Sequence, residues 1–399
     1  MRRARQYQMI GRAVCSVIAL AFLCGCRSSQ LAAARENYYM GRLPQAEGSL
    51  LEGDIPKEQF ALVMMERGLI RQTRGDYTNS AKDFNQSSAF IEEYMMMSVS
   101  RGAASMVIND NVGIFYGDPY ERTLMHAINA RNYLALSEPF EAAVEARLIL
   151  RTLQPERKSK DYPDDAYSRY IAGLCFELIG DPSNAAIEYQ HASNLCVNAA
   201  IDARTGFVYP KSTASLIKQP VETNGSMEMV CLVDYGRVKL EDFGAYDRIE
   251  GIQYAEICSN GKVLGRTYVV ADIQDIAVRT ERQKVLSRMM KTFTRIVLKE
   301  QISRVLDDSS PALGFLARGI LFGFLEKEDV RRWETLPRFM AVARFRLNGD
   351  IKSVDVVFKG LGGRVIKTVE SIPVYNSSGK RIVLCRDITE RARRVKSSK

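Results

Sequence analysis

Few side chains in this chain are placed to do chemistry, and Cys26 stands out among them by position. It closes the run Leu23-Cys24-Gly25-Cys26, behind Arg2, Arg3, Arg5 and Arg12 and an apolar stretch from 13 to 23. A small residue before a cysteine lets a signal peptidase reach the backbone, while the thiol accepts a diacylglyceryl group and the cysteine then becomes the new N-terminus. The chemistry implied is lipidation at Cys26, with palmitate-type acylation. Residues 1 to 25 read as a lipoprotein signal peptide, because the apolar run falls well short of the roughly 20 residues a spanning helix needs. Arg27 is not the aspartate of an inner-membrane retention signal, so the expected site is the periplasmic side of the outer membrane.

The other candidates offer little chemistry. His126 and His191 are the only histidines, 65 residues apart and without zinc-binding spacing. Cysteines 175, 196, 231, 258 and 385 remain after export, with no C-x-x-C pair among them. They read as buried small hydrophobes, and an oxidising compartment leaves room for one disulfide between strand cysteines. Gly360-Leu361-Gly362-Gly363 reads as a turn between strands and not as a phosphate cradle, while Asp164-Asp165 and Asp307-Asp308 read as helix caps. With no nucleophile elbow, Walker loop or zinc-protease motif, the expectation is no catalytic residues, no metal and no cofactor.

Charge points the same way. Four of the nine surplus positive charges sit in the signal, so the exported chain is only mildly basic. Export argues against nucleic acid and for anionic lipid or wall polymer as the complement of that charge.

The expected fold class is α+β in two domains. Residues 26 to 204 carry apolar positions at three- and four-residue spacing broken by Gly75-Asp76 and Gly180-Asp181-Pro182, which predicts helical hairpins. In the stretch 165 to 198, Gly173, Phe176, Gly180, Ala185, Tyr189 and Ala192 fall at the offsets of a tetratricopeptide-like repeat. Gly68, Gly75, Tyr77, Ala81 and Phe84 make a fainter copy; Tyr133, Leu136, Phe140, Ala143 and Arg147 make another. Gly75 and Gly180 lie close to three 34-residue periods apart, which predicts an irregular solenoid with a concave groove facing a partner.

A linker is expected at 205 to 226, where Pro, Gly, Ser and Thr accumulate. Beyond it, 227 to 388 reads as a β-rich, sandwich-like domain, with strands near 227–235, 253–258, 263–271, 339–347, 353–358, 364–369 and 381–386, and a hairpin at Asn260-Gly261. A helical insertion over about 272 to 332 contains a basic amphipathic stretch and the apolar run 312 to 325, and residues 389 to 399 form a basic tail. The short spacer after Cys26 is expected to keep the helical half near the lipid, with the β-rich part further out.

Two stretches carry a resemblance. They are Tyr116-Gly117-Asp118-Pro119-Tyr120-Glu121-Arg122, running through His126 to Asn132-Tyr133-Leu134-Ala135-Leu136, and Trp333-Glu334-Thr335-Leu336-Pro337 leading into 341 to 347. Together with the lipidation signal they resemble a family of bacterial envelope lipoproteins with tetratricopeptide-like N-terminal halves and no established activity. The first stretch reads as a turn that starts a helix; Trp333 is expected to anchor the insertion against the sheet, and Pro337 to end its helix.

The function this implies is a lipid-anchored, non-catalytic scaffold that binds envelope proteins through its repeats, with self-association left open. Tyr120, Glu121, His126, Tyr133, Trp333 and Arg344 are the candidate partner contacts. The alternative is a cell-wall or polysaccharide-binding lipoprotein acting through the β-rich domain.

Overall fold

A computed structural model describes residues 30–51, 54–100, 113–156, 164–212, 227–238, 251–284 and 331–388. The protein is mixed α+β: an array of helical hairpins packed against one wall of a nearly closed sheet.

Among the described residues the array has four hairpins. They are formed by α1 (30–39) with α2 (Leu43–Gly48), α3 (Phe60–Thr73) with α4 (Tyr77–Ser100), α5 (Pro119–Ala135) with α6 (Pro139–Glu156), and α7 (Ala166–Leu178) with α8 (Pro182–Leu195). Each turns through one residue in the left-handed region, at Gly41 (φ 73°), Gly75 (82°), Ser137 (62°) and Gly180 (79°). The next N–H then reaches the carbonyl five residues back, as from Arg42 to Asn37, Asp76 to Arg71, Glu138 to Tyr133 and Asp181 to Phe176. This is the Schellman closure, which satisfies helix-end carbonyls.

Seven residues before each turn a small side chain is buried: Ala34, Gly68, Ala130 or Gly173. Nine after it Leu50, Phe84, Ala146 or Tyr189 is buried. Where the small residue is glycine, the later aromatic ring fills the space: Phe84 lies against Gly68 and Tyr189 against Gly173. The expected three periods between Gly75 and Gly180 are instead two hairpin steps. The first step is lengthened by α4, which runs 24 residues, and by the chain that follows it.

Residues 205 to 212, expected to begin a linker, are folded. β1 (Ala199–Ile201) and β2 (Val208–Pro210) pair antiparallel behind α8, with Phe207 and Val208 buried. Local pairing of β-branched and aromatic residues outweighs the composition of the stretch; residues 213–226 lie outside the described residues.

The remaining strands are β3 (Met227–Arg237), β4 (Tyr254–Ser259), β5 (Lys262–Arg266), β6 (Tyr268–Asp272), β7 (Pro337–Leu347), β8 (Ser353–Lys359), β9 (Val365–Ser377) and β10 (Lys380–Asp387). The hairpin at Asn260-Gly261 is present, with φ of 49° and 74°. A second two-residue turn at Ser378-Gly379 joins β9 to β10, and Pro337 opens a strand, where a helix end was expected.

Where a sandwich of two stacked sheets was expected, the eight strands form one sheet in the order β5-β4-β8-β9-β10-β3-β7-β6. Only Thr267 separates β5 from β6, yet β5 pairs with β4 and β6 with β7, so one bent run makes both edges. Thr267 holds the bend, donating its N–H to Ala255 O (2.9 Å) and accepting from Ala255 N at its hydroxyl (2.8 Å). The curled sheet encloses a core of alternate residues, among them Met229, Cys231, Val233, Ile257, Val356, Phe358 and Val383. At Gly265 the ring of Phe345 fills the place of a side chain, 2.3 Å from where a Cβ would stand.

The opposite face of β3, β7 and β10 offers Val230, Leu232, Met340, Val342 and Ile382 to the helices, in one apolar cluster with Leu124, Ile128, Tyr167, Tyr170 and Ile171. β3 is thus buried on both faces, as its run Met-Val-Cys-Leu-Val requires. All five described cysteines are buried thiols. No disulfide joins them: the parallel register sets Cys231 opposite Val383 and Cys385 opposite Val233, so these thiols are staggered.

The helical insertion is helical from 273 to 284. The amphipathic stretch beyond, the run 312 to 325, the signal peptide with Cys26 and the basic tail lie outside the described residues. Among those described, no helix is long and apolar enough to cross a membrane.

Candidate functional site

Three clusters of buried charged side chains lie where the inner helices α1, α3, α5 and α7 meet the sheet. Asp234 sits in the apolar run of β3 and points outward, away from the enclosed core. Its Oδ2 accepts from Arg131 Nη1 of α5 (2.7 Å) and from Arg386 of β10 (Nη2 2.7 Å, Nε 3.0 Å). Arg386 also reaches Thr73 (3.2 Å) and Gln72 (3.3 Å) on α3. Gln72 Nε2 in turn donates to Ile128 O (2.8 Å) and Asn132 Oδ1 (2.7 Å). One carboxylate therefore ties two helices to two strands. Arg131 Nε, Asp234 Oδ1 and the Tyr167 hydroxyl are buried beside this hub without a hydrogen-bond partner among the described residues.

Arg344 of β7 is the second hub. It bonds both oxygens of Glu177 on α7 (2.7 and 2.9 Å), the Tyr189 hydroxyl on α8 (3.0 Å) and Glu228 on β3. Lys380 completes a balanced quartet with the same two carboxylates (2.9 and 3.0 Å). Burial pushes Glu177 up, but Arg344 and Lys380 outweigh it and leave the carboxyl below its usual range. The β1–β2 loop closes over Arg344: Gly206 adopts φ 64°, and a Cβ there would stand 2.3 Å from Arg344 Nη1 and 2.5 Å from the Tyr189 ring.

The residues leading into β7 form the third cluster. Arg35 of α1 donates to Glu66 of α3 (2.7 Å), to Glu334 (2.8 Å) and to the Arg332 carbonyl (2.6 Å). Glu66 also accepts from the Glu334 N–H (3.1 Å) and the Thr335 hydroxyl. Beside it, Glu121 accepts the Trp333 N–H (2.8 Å) and, closing the capping box of α5, the Asp118 N–H (2.7 Å). Burial, with Asp118 next to it, raises the Glu121 carboxyl to about 7. Lys284, at the end of the described insertion helix, pairs with Asp118 at 2.7 Å.

Of the expected contact residues, Tyr120, Glu121, His126, Trp333 and Arg344 are internal. Trp333 packs on Phe84 of the helical half (5.8 Å between rings), within the apolar cluster shared by helices and sheet, and its Nε1 donates to Thr335 (3.1 Å). Tyr120, Glu121 and Trp333 share one neighbourhood. His126 is locked to Glu145 (2.6 Å) inside the α5/α6 hairpin, away from Arg344. Tyr133 alone is partly exposed and accepts from Asn85 Nδ2 (2.9 Å).

Asp234, Arg131, Arg386, Glu66 and Arg35 were missed. The legible signal was a charged residue inside an apolar run, as in Leu232-Val233-Asp234, which demands a partner. Chemically these hubs are clamps: each carboxylate is paired or hydrogen-bonded. Among the described residues no group of three or more His, Cys, Asp or Glu could hold a metal.

The helix face expected to receive a partner is therefore covered by the chain's own sheet, and α5 is buried along nearly its whole length. The outer row of helices is different. Phe140 (71 % exposed) and Val144 (44 %) stand one turn apart on α6, and Ile187 (50 %) on α8 takes the position of Val144, seven residues after the hairpin turn. No family model matches this chain, and no curated protein is similar to it.

Proposed function

We propose that the protein is a lipid-tethered, non-catalytic scaffold of the cell envelope whose tetratricopeptide-like array meets its protein partner through the outer row of helices. The supporting observation is the division of the array's two faces. The inner one is sealed by ion pairs to the sheet, whereas the outer one leaves Val144 and Ile187 in solvent at corresponding positions, with Phe140 exposed one turn from Val144. Apolar side chains repeated along an exposed helical face are what a protein partner buries. The tether is Cys26 on the periplasmic side, and the resemblance to envelope lipoproteins supports the same reading.

Cross-linking in the native envelope tests it. Phe140→Asp with Ile187→Asp should leave the melting temperature unchanged and abolish the cross-linked partner set, while Cys26→Ala should lose the acyl mass. An unchanged partner set in the double variant rejects the outer row; cross-links to copies of this chain alone make the partner a second copy.

A further inference from the structure

Of the three clusters, the one at 331–336 is built differently. The Asp234 and Arg344 hubs join side chain to side chain, with their sheet members inside paired strands. At 332–334 the helical half instead bonds main chain. Arg35 Nη2 donates to Arg332 O (2.6 Å) and the Tyr39 hydroxyl to Glu334 O (2.5 Å), while the Trp333 and Glu334 N–H groups donate to Glu121 (2.8 Å) and Glu66 (3.1 Å). All four partners are side chains, drawn from α1, α3 and α5, and 331–336 has no helix or strand of its own. About two-thirds of a protein's hydrogen bonds run between main chains, so a stretch held in this way is held as a peptide ligand is. Its side chains alternate accordingly. Trp333 is buried against Phe84 and Thr335 is buried with its hydroxyl on Glu66, whereas Arg332 and Glu334 are only part-buried.

The helical half supplies this site ready made. Arg35 Nε fixes Glu66 (2.7 Å), the Asp118 N–H fixes Glu121 (2.7 Å), and the Phe84 ring is seated against Gly68. Two carboxylates so held, each with an oxygen turned to an incoming N–H, are preorganised for an extended segment. Main-chain bonds give affinity without regard to sequence, so discrimination falls on the buried pair, a tryptophan and a threonine two residues on.

We propose that residues 331–336 fill a peptide-binding site of the helical array in cis, and that an extended segment of a partner protein, with a tryptophan followed two residues later by a threonine, displaces them there. Displacement exchanges like contacts for like. What favours the chain's own strap is its attachment, an effective concentration on the order of millimolar. Phe140 and Ile187 lie on the outer helices α6 and α8, so this site is independent of the outer row.

The probe is a synthetic peptide of sequence 331–337, blocked at both ends and titrated against the full chain. Wild type should bind it with a Kd of about millimolar order, and Trp333→Ala, whose own strap has lost its anchor, on the order of 100-fold more tightly. A peptide with alanine in place of both the tryptophan and the threonine should bind neither. Equal affinity of the two chains overturns the proposal, as does equal binding of the two peptides. Hydrogen exchange in wild type decides without any variant. With the peptide in about tenfold excess over its Kd, the Trp333 and Glu334 amides should exchange at least about tenfold faster while Val230 to Val233 stay protected. Unchanged exchange, or equal acceleration at both places, overturns it. Dimers of wild type that form as its concentration rises would make the displacing segment that of a second copy and overturn the partner-protein reading. Phe140→Asp with Ile187→Asp should leave all these readouts in place, so failure of the outer row is seen separately.

Discussion

At the scale of single residues, Asp234 illustrates what a buried carboxylate does here. With Arg131 and Arg386 both on its Oδ2, its removal leaves two buried guanidinium groups without their counter-charge. Breaking a buried pair by deleting one partner costs about 3–5 kcal/mol, so Asp234→Ala should lower the melting temperature sharply or prevent folding. Gly206→Ala should also be costly, because φ 64° strains any other residue and the added Cβ meets Arg344 and Tyr189; its thermal unfolding against that of wild type checks this. Titration adds a third expectation. Burial raises Glu121 from 4.5 to about 7 and Asp165 from 3.8 to about 6. A carboxyl raised on folding contributes stability that is fully present below its unfolded pKa and is lost as pH rises through the folded value. The melting temperature should therefore fall between about pH 4 and pH 7 on account of these two groups, and Glu121→Gln should remove its part of that slope. Glu177, lowered by Arg344 and Lys380, works in the opposite sense and matters only in acid.

At the scale of elements, the repeated hairpin rests on one small and one large position, and its glycines are not equivalent. A Cβ on Gly173 would stand 2.8 Å from the Tyr189 ring, which is itself fixed by Glu177 and Arg344. A Cβ on Gly68 would stand 3.0 Å from the edge of Phe84. Alanine gains about 1 kcal/mol of helix propensity over glycine, while overpacking costs about 1–3 kcal/mol. Gly68→Ala should thus be near neutral and Gly173→Ala destabilising, an order that paired denaturant titrations would reveal. Gly75-Asp76, Gly180-Asp181 and Asn260-Gly261 were all readable because left-handed backbone selects glycine and asparagine. The second half of β9 was not, since Pro373 lies within it. Its pairing with β8 and β10 overrides that local signal.

The whole molecule has one apolar cluster running from the helices through the covered wall of the sheet. A helical half expressed without 227–388 would expose that wall's complement together with unpaired Arg131. It should be molten or aggregated, and the intact chain should unfold in one calorimetric transition; two separated transitions would show independent halves. The scaffold reading draws its geometry from this scale as well, because the sheet decides which face of the helices is left for a partner.

By itself the sequence determined what depends on neighbours along the chain: helix periodicity, left-handed turns, small-and-large offsets, and the strands of the long sheet in outline, with β5 and β6 read as one run. Tertiary structure alone decided what depends on distant residues meeting. Hydrophobic patterning specifies that a face is buried but not what buries it, so a groove expected to receive a partner could equally receive the chain's own sheet. Likewise, Glu121, Trp333 and Arg344 carry side chains suited to a surface contact, and only the packing of residues 100 or more positions away turned each into an internal tie.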